Sequence, residues 1–186
     1  FCRYFPRISN LSDGKKRKSN LYISGFQLFS RSRMEEKPLH KSILYVGTYP
    51  PRECGIATFT RDLTDAMNRK FNPALKAEIL AMNDQKEYSY DERVSFKVED
   101  ADIEHYIHAA REINKSSKIR LVNVQHEFGI FGGDAGNYII PFLEFLEKPV
   151  VTTLHSLVPK PDEKRKKIVQ AIARRSDALI VMSREA

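Results

Sequence analysis

The 186-residue sequence lacks several features that would each define a class of protein. It has no run of about 18 apolar residues, so no transmembrane helix is expected. Its two cysteines, Cys2 and Cys54, are too few for a disulfide framework and do not form a CxxC metal pair. We therefore expect a free thiol in a reducing, cytoplasmic compartment, and no bound metal or cofactor.

Four familiar site motifs are also missing. No GxGxxG follows the first predicted strand, which disfavours the usual dinucleotide-binding fold. No GxxxxGKS/T is present, which disfavours a P-loop NTPase, and no GxSxG nucleophile elbow occurs. His126-Glu127 lacks the second histidine of an HExxH zinc site.

The net charge of +7 lies entirely in the first part of the chain. Residues 1–42 hold ten Lys/Arg and three Asp/Glu, whereas residues 43–186 hold twenty-one of each. A neutral body has no electrostatic footprint for a phosphate backbone, so we expect no nucleic-acid partner.

The basic segment, residues 1–42, shows no hydrophobic periodicity, and we expect a disordered extension. The first methionine is Met34, which suggests that residues 1–33 are appended or translated from upstream. A transit peptide and a nuclear-localisation or nucleic-acid patch have similar compositions and stay open as alternatives.

From residue 43 onward, apolar strand patterns alternate with helical patterns. Such alternation predicts an α/β fold: a Rossmann-like, mainly parallel sheet with helices on both faces. The predicted strands are 43–49, 76–82, 94–98, 120–125, 149–154 and 178–182. The predicted helices are 57–69, 100–113, 136–146 and 162–175, with Pro141 expected to kink the third or to shift its start.

Ligands bind such sheets beyond the carboxyl ends of the strands, so the residues that follow each strand are the candidates. Gly55 precedes a helix and would let an anion approach its N-terminus, unless it is only a turn residue. His126 and Glu127 follow the fourth strand, His155 the fifth and Ser183 the last. A packing role stays open for both histidines, and backbone capping for Glu127.

Four stretches resemble the glycosyltransferases of family 4 (group 1). They are ILYVGTYPPRECGIATFTRDL (43–63), NVQHEFGIFGG (123–133), VVTTLHS (150–156) and DALIVMSREA (177–186). The stretches follow the family's order and together span residues 43–186. The resemblance implies the N-terminal domain of the two-domain GT-B architecture, which carries most of the acceptor site.

The resemblance further implies retaining transfer of a sugar from a nucleotide-sugar donor to a sugar or glycoconjugate acceptor, without an obligatory metal. It implies that Gly55 lies near the donor diphosphate and that His126, the catalytic candidate, lies beside the transferred sugar. Glu127, His155 and Ser183 are the further candidates for donor or acceptor binding. Many members have two glycines where this chain has Cys54-Gly55.

The last residues suggest that a further element follows, because Ser183 has the character of a helix N-cap directly after a strand. We therefore expect a fragment that ends before the donor-binding domain and is inactive in isolation. The alternative is a non-transferase α/β domain that binds a nucleotide or a sugar phosphate.

Overall fold

The computed structural model describes residues 40–182. Residues 1–39 of the predicted extension, including Met34, lie outside the described residues, and so does the candidate site residue Ser183. Within residues 40–182, no helix is both long and apolar enough to cross a membrane.

Six strands form one sheet in the order β3-β2-β1-β4-β5-β6, and every neighbouring pair is parallel. The strands are β1 (Lys41–Gly47), β2 (Leu75–Asn83), β3 (Val94–Glu99), β4 (Ile119–His126), β5 (Val150–Leu154) and β6 (Ala178–Val181). The sheet has the Rossmann-like strand order, and the predicted fold class is confirmed.

Four helices connect the strands: α1 (Gly55–Phe71), α2 (Ile103–Lys115), α3 (Ile139–Phe145) and α4 (Glu163–Arg175). Three of them begin at a capping side chain. Cys54 accepts a hydrogen bond from the amide of Ala57, and Asp102 and Asp162 cap α2 and α4 in the same way. Pro141 is tolerated in the first turn of α3, where an amide hydrogen would have no helical partner, and the helix begins three residues later than predicted.

The larger apolar cluster lies on the side of the sheet that carries α2, α3 and α4, here called the α2–α4 face. Its strand residues include Leu44, Val46, Val122 and Val124, and its helix residues include Tyr106, Ile113, Phe142 and Ile172. Buried residues of α2 recur at Tyr106, Ala109, Ala110 and Ile113, the spacing of one helical stripe.

The opposite side, here called the α1 face, carries a smaller apolar cluster. Tyr45, Tyr49, Ala77, Ile79 and Ala81 pack there with Leu63 and Met67 of α1. No helix separates β2 from β3, which are joined by residues 84–93. The polar residues Asn123 and Gln125 of β4 alternate with Val122 and Val124, so they lie on this less apolar face.

Candidate functional site

The strand order reverses between β1 and β4, which defines the crevice where ligands of open parallel sheets bind. The chain continues from β1 to β2 and β3 on one side of this point, and from β4 to β5 and β6 on the other. The segments that leave β1 and β4 therefore separate at their carboxyl ends. Gly55, His126, Glu127 and His155 all follow strands at this end of the sheet.

The segment from β1 to α1 is held by two hydrogen bonds of the Cys54 sulfur. The hydroxyl of Thr48 lies 2.9 Å from Cys54 Sγ, and the amide of Ala57 donates to the same sulfur at 3.4 Å. Gly55 follows as the first residue of α1, and a Cβ atom there would have no neighbour within 4 Å. Internal packing therefore does not require a glycine at position 55, and the N-terminus of α1 is open.

Arg52 anchors the same segment to the neighbouring strands. Its Nη1 donates to the carbonyl oxygen of Met82 at 2.9 Å, and its guanidinium lies 3.8 Å from Asp84 and 3.7 Å from Asp100. Burial raises the pKa of Asp100, and the positive charge of Arg52 opposes that shift. The arginine thus fixes the approach to Gly55 against the ends of β2 and β3.

His126 is fully buried at the end of β4. Its ring packs edge-on against Phe128 at 5.0 Å and stacks with Phe131 at 5.8 Å, measured between ring centroids. Neither ring nitrogen has a hydrogen-bond partner among the described residues. Burial lowers the pKa of His126 to about 4, so the ring is neutral at pH 7.

His155 directly follows β5, the next strand of the sheet, and its side chain lies on the other face of the sheet. Its Nε2 is 2.8 Å from Oε1 of Gln125, and its ring packs edge-on against Phe59 of α1 at 4.8 Å. The backbones of the two histidines are joined, because the amide of His155 donates to the carbonyl of His126 at 3.0 Å. The side chains of His126 and His155 therefore lie on opposite faces of the sheet although their backbones are neighbours.

Glu127 is half-buried, and its negative charge opposes the lowering of the pKa values of both His126 and His155. It also lines a cavity of about 740 Å³ between the end of β4 and the segment that leads to α4. Phe128, Ser156 and Arg165 are among the other residues that line it. The guanidinium of Arg165 lies 5.7 Å from the ring centroid of Phe128, so the cavity combines charged and aromatic walls.

Residues 131–136 include three glycines, and each has a structural explanation; Gly136 has a φ of +81°, and a Cβ atom there would lie 2.7 Å from the carbonyl oxygen of Phe128. A Cβ atom at Gly132 would overlap the carbonyl oxygen of Asp100, and Gly133 has a φ of +77°. The amide of Gly132 donates to the Tyr106 hydroxyl at 2.9 Å. The segment is therefore packed against the end of β3.

Sequence reasoning did not select Arg52, Asn123 or Gln125 as site residues. The signal for the last two was available, because polar side chains at alternate positions of an otherwise buried strand need a specific partner. No comparable signal identifies Arg52, whose partners come from distant segments.

Neither a family model nor a curated protein matches the sequence. Two solved structures of an α-glucosyltransferase in complex with UDP and a 13-mer DNA are similar, each with a TM-score of 0.49, at 15% and 16% identity. They match over 77% of this chain and over 37% and 36% of their own.

A homoserine dehydrogenase of S. aureus is similar with a TM-score of 0.42 and 13% identity, over 76% of this chain and 32% of its own. The chain thus spans about a third of the length of these enzymes. Similarities this distant indicate no activity, and the Rossmann-like assignment depends on the sheet itself.

Proposed function

We propose that the chain is the N-terminal domain of a retaining GT-B glycosyltransferase that uses a nucleotide-sugar donor and a sugar or glycoconjugate acceptor. One observation carries the proposal. The segments with glycosyltransferase-like sequence that follow β1, β4 and β5 all lie at one edge of the sheet, around its switch point.

In this proposal Gly55 accommodates the donor diphosphate. The space beside Gly55 is empty, and the amides of the first turn of α1 favour an anion. The Cys54 sulfur satisfies only the amide of Ala57 in that turn, which leaves other donors for a ligand.

Glu127 and His155 supply groups that hydrogen-bond to sugar hydroxyls. His126 has the role beside the transferred sugar, and its unpartnered ring nitrogens favour a hydrogen bond to a ligand. Because the ring is fully buried and packs against Phe128 and Phe131, that contact requires the ring to become accessible to the ligand.

The test uses the protein encoded by the complete reading frame that contains this chain. We expect release of nucleoside diphosphate from a panel that includes UDP-glucose and GDP-mannose, with product that retains the anomeric configuration. Binding of nucleotide without transfer to any acceptor would instead support a non-transferase α/β binding domain.

Gly55→Ala separates ligand contact from stability. The added methyl group meets no atom within 4 Å, and alanine is favourable in a helix, so the melting temperature should not fall. We expect the KM for the donor to rise about tenfold because the methyl group keeps the diphosphate from the helix amides. An unchanged KM would remove Gly55 from the donor site.

His126→Ala in the same assay tests whether His126 acts beside the transferred sugar. A positioned catalytic group is worth about 10²–10⁴ in rate. We expect His126→Ala to reduce turnover by at least a hundredfold per folded molecule. A lower melting temperature with near-normal turnover would make His126 a packing residue.

A further inference from the structure

Three polar side chains form a hydrogen-bonded row on the α1 face, at the carboxyl ends of β4 and β5. Asn123 and Gln125 are buried, and His155 is half-buried. A buried polar group costs free energy unless it is hydrogen-bonded, so an apolar strand would be the simpler choice for stability. This hydrogen-bonded row of polar side chains therefore calls for an explanation beyond packing.

The direction of the hydrogen bonds follows from the amide groups. Nε2 of Gln125 donates to Oδ1 of Asn123, which turns Oε1 of Gln125 toward His155. An amide oxygen can only accept, so the proton of the neutral His155 ring is on Nε2. Nδ1 of His155 then has a free lone pair, and no residue between 40 and 182 donates to it.

Two packing contacts restrain the geometry of this hydrogen-bonded row. A Cβ atom at Gly47 would lie 3.1 Å from Cβ of Gln125, so the backbone of β1 packs directly on the glutamine. The edge-on contact with Phe59 orients the ring of His155 from the side of α1. Phe59 lies one helical turn after Gly55, which puts His155 beside the N-terminal turns of α1.

We propose that Gln125 is a positioning residue that holds His155 in its Nε2–H tautomer, so that Nδ1 accepts a hydrogen bond from a hydroxyl of the bound ligand. The tautomer is inferred from the hydrogen bonds of Gln125, whereas the identification of the hydroxyl as a sugar hydroxyl rests on the proposed function. Burial lowers the pKa of His155 and so keeps the ring neutral, as an acceptor must be.

The tautomer is measured by two-dimensional ¹⁵N–¹H NMR of the histidine rings in the ¹⁵N-labelled 186-residue chain. The sequence has five histidines, so the signals of His155 are identified by their loss in His155→Asn. We expect a protonated Nε2 and an unprotonated Nδ1. A protonated Nδ1 would instead mean that the side-chain amides of Asn123 and Gln125 have the opposite orientation. That result, in the wild-type spectrum alone, would overturn the inference.

Gln125→Met removes the acceptor at similar volume, and we expect His155 to become a mixture of tautomers. Thr152→Val is the matched control, because Thr152 is equally buried and bonds to Ser176 rather than to His155. An unchanged tautomer in folded Gln125→Met, or an equal change in the control, would contradict the role of Gln125.

The transferase assay tests the consequence. We expect Gln125→Met to lower turnover about tenfold more than Thr152→Val does, the equivalent of one hydrogen bond. Equal turnover in the two variants would overturn the positioning role. If the wild-type protein transfers no sugar, the proposed function fails, whereas the NMR result on the tautomer stands by itself.

Discussion

The two faces of the sheet differ in how they treat polar groups. On the α2–α4 face, apolar residues continue to the end of β4, where His126 is sealed without a hydrogen-bond partner among the described residues. On the α1 face, the apolar cluster is small, and Asn123, Gln125 and His155 are linked to one another. The α2–α4 face thus buries the larger apolar cluster, whereas the α1 face buries less apolar area and holds polar groups in fixed orientations.

The largest expected effect comes from Gly132→Ala, which disrupts the close packing of the segment that follows β4. The new Cβ atom would overlap the carbonyl oxygen of Asp100, so backbone must move. We expect a loss of about 4 kcal/mol in the free energy of unfolding, measured by urea denaturation. Gly129→Ala is the control, because its Cβ atom has no neighbour within 4 Å. Equal losses in both variants would contradict the close approach.

The next largest effect is the difference in the free energy of unfolding between a Leu→Ala substitution on each of the two faces. Leu143→Ala on α3 empties a fully buried site, and we expect a loss of about 3 kcal/mol. Leu63→Ala on α1 removes a half-buried side chain beside the smaller cluster, and we expect about 1 kcal/mol. Urea denaturation of both variants measures the difference. A larger loss for Leu63→Ala would reverse the comparison.

The third effect depends on pH. The pKa of His126 is about 4 in the folded protein, against the ordinary histidine value of 6.5 in an unfolded chain, so the unfolded state binds more protons between these values. Stability from the neutral ring is complete above about pH 6.5 and is lost as the pH falls toward 4. At pH 5 the loss should be about 2 kcal/mol.

The pH effect is isolated with His126→Leu, which should remove this part of the pH dependence of unfolding between pH 6.5 and 4. His108→Gln, at an exposed position of α2, is the control and should keep it. If His126→Leu retains the full wild-type slope, the buried ring does not titrate as expected.

The sequence predicts the fold well because its signals are periodic. All ten predicted strands and helices are confirmed, with boundaries that differ by up to three residues, as at the start of α3. Side-chain alternation also places Gln125 opposite to Val124 and His126. The packing of Phe128 and Phe131 over His126 is not periodic, because it depends on the path of an irregular segment. The seal on that histidine was therefore beyond sequence reasoning.

The Tyr106 hydroxyl has a consequence for how the molecule opens. It donates to the carbonyl of Asp100 at 3.1 Å and accepts from the amide of Gly132 at 2.9 Å. One phenol thus fastens the segment after β4 to the segment after β3, past the ends of the two strands between them. We therefore expect the amide hydrogen of Gly132 to exchange slowly with solvent, because exchange requires this hydrogen bond to the Tyr106 hydroxyl to break.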